Sequence, residues 1–218
     1  MHSYSIDKDI RRKANTYIII ISILASSILT LIFGNVISAL GTWTQNQSGL
    51  KQIYDLCNKL GVTTNFLGIP FLYGLLYWGY DKCIWKLPAI RLLHRIPDLN
   101  GKWEGTLISA YNNQSIKMNM EITQTWSKVS FISRYPETKT VSESNTGSIL
   151  IERDGILKIG FGFINRARHI KAHMYDGYNI LELDGEDQLY GRYFNNRNNS
   201  NVNREDGNVG TFELHRVE

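Results

Sequence analysis

The chain has 218 residues, 24 of them Lys or Arg against 20 Asp or Glu, for a formal net charge of +4, and 43% are hydrophobic. That length allows one or two domains, the apolar share is that of an ordinary soluble protein, and so mild a positive balance is by itself no nucleic-acid signature. The average hides a division, because nearly all long apolar runs precede Asp81 and the residues after Pro97 are polar and glycine-rich. A shift of this kind predicts a membrane module joined to a water-facing domain.

Residues 1–16 read as a cytoplasmic tail that ends near Arg11-Arg12-Lys13. No charged residue occurs from Ala14 to Leu50, and the run from Tyr17 to Phe33 continues through Leu40. About 20 helical residues span a ~30 Å hydrocarbon core, so a first transmembrane helix is expected at 17–40. Residues 41–61 form an external loop whose only basic residues are Lys51 and Lys59. A second span is expected at 62–81. Its Pro70, Gly68, Gly74 and Gly79 are tolerated where neighbouring helices satisfy the backbone, and Tyr73, Tyr77, Trp78 and Tyr80 suit an interface. Lys82, Lys86, Arg91 and Arg95 follow, so the positive-inside rule places both termini in the cytoplasm, as a multi-pass protein of a bacterial inner membrane. Ser22, Ser26, Ser27 and the glycines are small enough for close helix packing. Two competing readings are a signal peptide cleaved near Ser38-Ala39 and a buried core helix over 66–80. Cys57 and Cys83 fall on opposite sides of the membrane and cannot pair. Residues 82–97 form a basic amphipathic linker suited to anionic lipid heads, bounded by Pro88 and Pro97 around its helical part.

From residue 98 the rhythm changes to period two, with Ile116, Met118, Met120 and Ile122 alternating with polar neighbours. Similar runs lie at 102–109, 128–134, 148–152, 156–163, 178–183, 188–194 and 209–216. Turn signals separate them, including Asn112-Asn113, Asn145-Thr146-Gly147, Asp154-Gly155, Asp176-Gly177, Asp184-Gly185 and the Asn-rich 195–203. The fold class expected for 98–218 is therefore all-β, an antiparallel up-and-down barrel of about eight strands. Gly101-Lys102-Trp103 at its start and Arg216 on its last strand resemble the lipocalin-type pair, in which the Arg packs over the Trp. Parity then turns Trp103, Gly105, Leu107, Phe212 and Leu214 inward, and Lys102, Glu104, Glu213 and His215 outward.

Nothing in the sequence matches a nucleophile elbow, a P-loop or a metalloprotease motif, and a binding module is favoured over an enzyme. His169 and His173 sit on a strand-like stretch, too far apart to share a metal, and Gly160-Phe161-Gly162 fits a barrel bend. Asp184, Glu186 and Asp187 read as a turn. Candidate ligand-binding residues are Thr125 and Trp126 at one hairpin, Arg134 and Tyr135 at a strand end, Ser142 in the hydroxyl-rich run 138–144, and Tyr190 and Arg192. Arginine forks suit phosphate, and aromatic faces stack on bases.

The two spans, the basic linker and Leu99-Asn100-Gly101-Lys102-Trp103-Glu104-Gly105 together resemble the two-transmembrane β-barrel effector of CBASS antiphage systems, the SMODS-associated two-TM β-strand-rich effector. The resemblance implies an eight-stranded barrel that senses a cyclic dinucleotide made by a partner CD-NTase-type nucleotidyltransferase. It also implies homo-oligomerisation on binding and disruption of the inner membrane by the spans. No cofactor and no DNA or RNA partner is implied. The alternative is a membrane-tethered, lipocalin-like binding protein for a small apolar ligand.

Overall fold

The computed structural model of the chain describes residues 1–6, 8–45, 51–52, 64–109, 113–151, 156–167, 175–196 and 209–217. It divides into a helical unit, Asp9–Trp85, and a second unit made of Met1–Lys8 with Lys86–Glu218.

The helical unit holds α1 (Lys8–Gln45) and α2 (Thr64–Lys82). Within α1, Asp9–Ile32 is long and apolar enough to cross a membrane by length and composition. Ile20, Leu24, Leu31 and Ile32 lie exposed along it, an arrangement that water penalises and lipid does not. Helix α1 starts well before residue 17, because Arg11, Arg12 and Lys13 extend its first turns as good helix formers. Much of the expected external loop, 41–61, lies outside the described residues, as does Cys57. Ser22 and Ser26 are buried, and a Cβ on Gly68 would sit 3.5 Å from Ser26 Oγ, so small residues bring the two helices together. Ser22 donates its hydroxyl to the Ile18 carbonyl at 2.6 Å, which satisfies it inside the helix.

A short 3₁₀ turn, Ile84–Lys86, spans the boundary between the units and leads into α3 (Pro88–His94) of the second. Pro88 stands at the start of α3, where its missing N–H costs nothing, and Arg95 ends the helix in the left-handed region with φ 56°. Two short strands, β1 (His2–Ser3) and β2 (Ser5–Ile6), come from the stretch ahead of α1. The remaining strands are β3 (Gly101–Ile108), β4 (Ser115–Gln124), β5 (Lys128–Tyr135), β6 (Thr140–Ser144), β7 (Ser148–Ile151), β8 (Leu157–Ala167), β9 (Tyr175–Asp184), β10 (Gln188–Asn195) and β11 (Val209–Val217). Neighbours pair antiparallel from β3 through β4, β5, β6, β8, β9, β10 and β11, and β11 returns to β3. The result is the expected closed eight-stranded antiparallel barrel.

The hydroxyl-rich run 138–144 contains β6, which pairs with β5 and β8, while β7 pairs along β8 alone among the barrel strands. Asn145-Thr146-Gly147 is thus a break within one wall position and not a hairpin turn. Asp176-Gly177 lies inside β9, although Asp-Gly reads as a turn; a Cβ on Gly177 would overlap the Phe194 carbonyl oxygen and come 2.7 Å from the Phe163 ring, so glycine admits both the neighbouring strand and that ring. Gly185 is the turn glycine expected, with φ 64°. Gly160 and Gly162 lie within β8, in keeping with a strand. Asp154-Gly155, His169, His173 and most of 195–203 lie outside the described residues.

Register supports the parity argument. Trp103, Leu107, Phe212 and Leu214 are buried, while Lys102, Glu213 and His215 are exposed. The guanidinium of Arg216 lies 4.4 Å from the Trp103 ring centroid. It also donates to the carbonyls of Asn100, Asp98 and Glu186, and Trp103 Nε1–H donates to Leu99 O at 3.1 Å. Arg216→Ala removes this stacking and three charge-assisted bonds, and should cost about 2–4 kcal/mol. Thermal unfolding followed by circular dichroism should show Arg216→Lys recovering only part of the loss, because an ammonium lacks the fork.

Candidate functional site

The barrel interior has two halves. Toward the linker, Phe131 and Phe161 stack at 4.1 Å, and Met118, Met120, Ile122, Ile149, Ile159, Leu181 and Leu189 fill the space between them and Trp103. Trp126 and Ile96 are buried at this same end, where His94 accepts the Ile96 N–H through Nδ1 at 3.0 Å and lies 5.1 Å from the Trp126 ring. Leu99 N–H donates to Gln124 Oε1 at 2.9 Å, so even the buried amide here is used to seal the end.

The far half is polar. It is reached along β5, β6 and β8, whose inward positions change from Val129 and Phe131 to Ser133 and Tyr135, and from Phe161 and Phe163 to Asn165. Cross-strand register faces Ser133 with Ser142, and Ser142 with Asn165. Tyr135 bonds both Ser142 and Ser133, and Asn165 Nδ2 bonds Ser142 Oγ at 2.8 Å. Tyr175, Asn179 and Tyr193 continue the inward face on β9 and β10. The Tyr135 phenol is held above its ordinary value, first by desolvation and then by the neighbouring Tyr175, while its bonds to Ser142 and Ser133 pull the other way. It is therefore a neutral donor at physiological pH.

One atom in this row lacks a partner. Asn165 is 1% exposed, yet its Oδ1 makes no hydrogen bond. Whichever way the amide is turned, one polar atom meets Ser142 and the other is left over. A buried, unpaired amide atom costs about 1–3 kcal/mol. A ligand that supplies the missing bond recovers that cost.

The seven sequence candidates do not form one site. Tyr135 and Ser142 meet in the polar half. Arg134 points to the outer face and pairs with Glu121 at 2.9 Å. Tyr190 and Arg192 lie on the outer face of β10, opposite Glu213 and Thr211; the Tyr190 hydroxyl bonds Gln188 Oε1 at 2.7 Å. Thr125 and Trp126 belong to the sealed end, where Trp126 is 1% exposed. Ser133 stands in the sequence beside Arg134 and Tyr135 at the same strand end; Asn165 and Asn179 were not singled out, though polar residues at inward parity on β8 and β9 carry the signal.

Among the described inward residues of the polar half, all are neutral: hydroxyls, amides, phenols and Phe163. Of the exposed cations near this end, Lys139 lies at the β5–β6 turn, while Arg166, late in β8, points to the outer face and pairs with Glu143 at 3.8 Å. The arrangement suits a ligand with a flat, hydrogen-bonding part and an anionic part, the first inside and the second at the mouth, since desolvating a phosphate is costly.

Comparison with known proteins identifies the family of the barrel. Residues 94–216 match the family model described as Cap15, cyclic dinucleotide receptor domain. The CD-NTase-associated protein 15 of Staphylococcus schleiferi is 26% identical over 119 residues, covering 53% of this chain and 64% of that protein, a little under two thirds of its length. The matched segment runs from His94, at the end of α3, to Arg216, the residue that closes the barrel, and the chain belongs to the Cap15 cyclic dinucleotide receptor family, the CBASS effector family that Leu99–Gly105 resembles.

Proposed function

We propose that the barrel binds a cyclic dinucleotide at its far end, with a base against Tyr135, Ser142 and Asn165 and the phosphates at the rim. The observation that carries this is the unpaired, buried Asn165 Oδ1 at the end of a hydrogen-bonded row, in a barrel of a cyclic dinucleotide receptor family. An exocyclic amine or ring N–H of a base is the donor it lacks. Tyrosines at the same end offer stacking faces. The chain is then a receptor and not an enzyme, and the ligand comes from a partner nucleotidyltransferase. The apolar-carrier alternative is less well supported, since the apolar half is occupied by stacked side chains.

We further propose that α1 and α2 form a transmembrane hairpin, that ligand binding drives assembly of several copies, and that assembly disrupts the inner membrane. Helix α3 supports a membrane-surface role for the linker. Leu92 and Leu93 are 83% and 81% exposed beside Arg91 and Arg95, a pattern that suits lipid heads below and basic contacts around them.

Calorimetry of the full chain in nanodiscs against cyclic di-AMP, cyclic di-GMP, cyclic GMP–AMP and cyclic UMP–AMP tests the receptor reading, which fails if no member gives saturable heat. For the ligand that binds, Asn165→Ala should weaken affinity by roughly tenfold, the loss of one buried hydrogen bond. Tyr135→Phe, which keeps the ring and loses the donor, should lose about as much. Leu92→Glu with Leu93→Glu should leave this affinity unchanged and reduce vesicle leakage; an unchanged leakage would remove α3 from the membrane account.

A further inference from the structure

We propose that the segment His2–Ile6 is a releasable stitch in the barrel wall, coupling occupancy of the far end to the start of α1. The proposal rests on the ligand site proposed above.

Strand β5 does not have one neighbour along its β6 side. Its later residues, from Ile132 to Tyr135, pair with β6, while Lys128 and Val129 pair with β1. The wall splits at Asn145–Gly147, and β7 beyond the split pairs with β8. Between the start of β5 and β7 lies a slot, and the stretch ahead of α1 fills it. His2 and Ser3 run antiparallel to β5, and Ser5 and Ile6 run parallel to β7. Tyr4 and Ile6 are 3% and 4% exposed. Ser5 N–H donates to Gly147 O at 2.9 Å, and Tyr4 Oη donates to Thr125 O at 3.2 Å. A Cβ on Gly147 would lie 3.2 Å from Val129 and 3.3 Å from His2, so the glycine leaves room for the segment.

The stitch and the proposed site share their strands. Ser144 Oγ accepts the Phe131 N–H at 2.9 Å and bonds His2 Nε2 at 2.7 Å. Two residues along the same inward face of β6, Ser142 bonds Asn165 and Tyr135. A ligand that draws in Ser142 therefore acts on the strand that holds His2. The stitch is also the least extensively paired part of the wall, two residues to each neighbour against seven pairs between β10 and β11. Chain continuity does the rest, because α1 begins at Lys8, two residues beyond Ile6. While Ile6 stays paired with Ile149, the tether from the barrel to α1 is fixed at its barrel end, and release of Ile6 lengthens it. A ligand shifts this equilibrium only if it binds the unstitched form better, and the linkage is reciprocal: holding the stitch in place must weaken binding.

A cross-link tests it. Ser3 and Lys128 face each other across β1 and β5, and both are exposed. Cross-strand partners have Cα atoms about 4.5–5.5 Å apart, within reach of a disulfide. Ser3→Cys with Lys128→Cys, in a chain carrying Cys57→Ser and Cys83→Ser, is oxidised in vesicles of phosphatidylethanolamine and phosphatidylglycerol. Each ligand of the panel above is then added. Oxidation should weaken binding at least ~10-fold and suppress ligand-driven association and dye leakage, and dithiothreitol should restore all three. A release variant, Tyr4→Ser with Ile6→Ser, should bind more tightly and leak without ligand. The proposal is overturned if the oxidised protein binds and leaks like the reduced one, or if the release variant, with barrel circular dichroism intact, stays silent without ligand. Absence of any binding by the reduced protein sinks the receptor reading instead, and the release variant still decides the stitch.

Discussion

The guanidinium of Arg216, near the end of the last strand, lies over the indole of Trp103 near the start of the first. Its hydrogen bonds go to carbonyls of Asp98 and Asn100, just ahead of β3, and of Glu186, in the β9–β10 turn. One side chain thus fastens β11 to β3, holds the chain where it enters the barrel, and secures a turn of the same end. Because the barrel is closed there, every strand residue is assigned an inside or an outside, and the linker end is sealed by apolar packing around Trp103, Trp126 and Leu99.

Sealing one end gives the other its character. Polar side chains that face inward cannot sit among Met118, Phe131 and Phe161 without partners, and they are gathered instead around Ser133, Tyr135, Ser142 and Asn165, where they bond one another. One acceptor is left over at Asn165. A buried, hydrogen-bonded row with one unpaired amide atom among the described residues suits specific recognition, since a ligand lacking the matching donor leaves that atom unpaired. In the proposed complex the neutral groups inside take the base, and Lys139 at the β5–β6 turn is the exposed cation nearest the phosphates.

The barrel was legible because alternation and turn chemistry repeat along it, and the Trp103–Arg216 pair is marked by position alone. Strands β1 and β2 were not legible: two residues each are too few to show a period, and they lie beside a basic run that reads as a tail. Strand β6 was hidden by its hydroxyls, which suit a loop as well as an inward polar face. Pairing Arg134 with Tyr135 as joint ligand residues ignored the strand period, since adjacent residues point to opposite faces; Tyr135 went inside and Arg134 outside to Glu121. Trp126 is on a hairpin, as expected, but hairpins occur at both ends of a barrel and sequence does not say which end a given one closes.

Hydrogen exchange of the full chain, with and without a saturating cyclic dinucleotide, bears most directly on where the ligand sits. The account predicts new protection at Ser133–Tyr135 of β5, Thr140–Ser142 of β6 and Ile164–Asn165 of β8. Protection confined to the outer face of β10 or to the sealed end around Trp126, with those three strands unchanged, would contradict it.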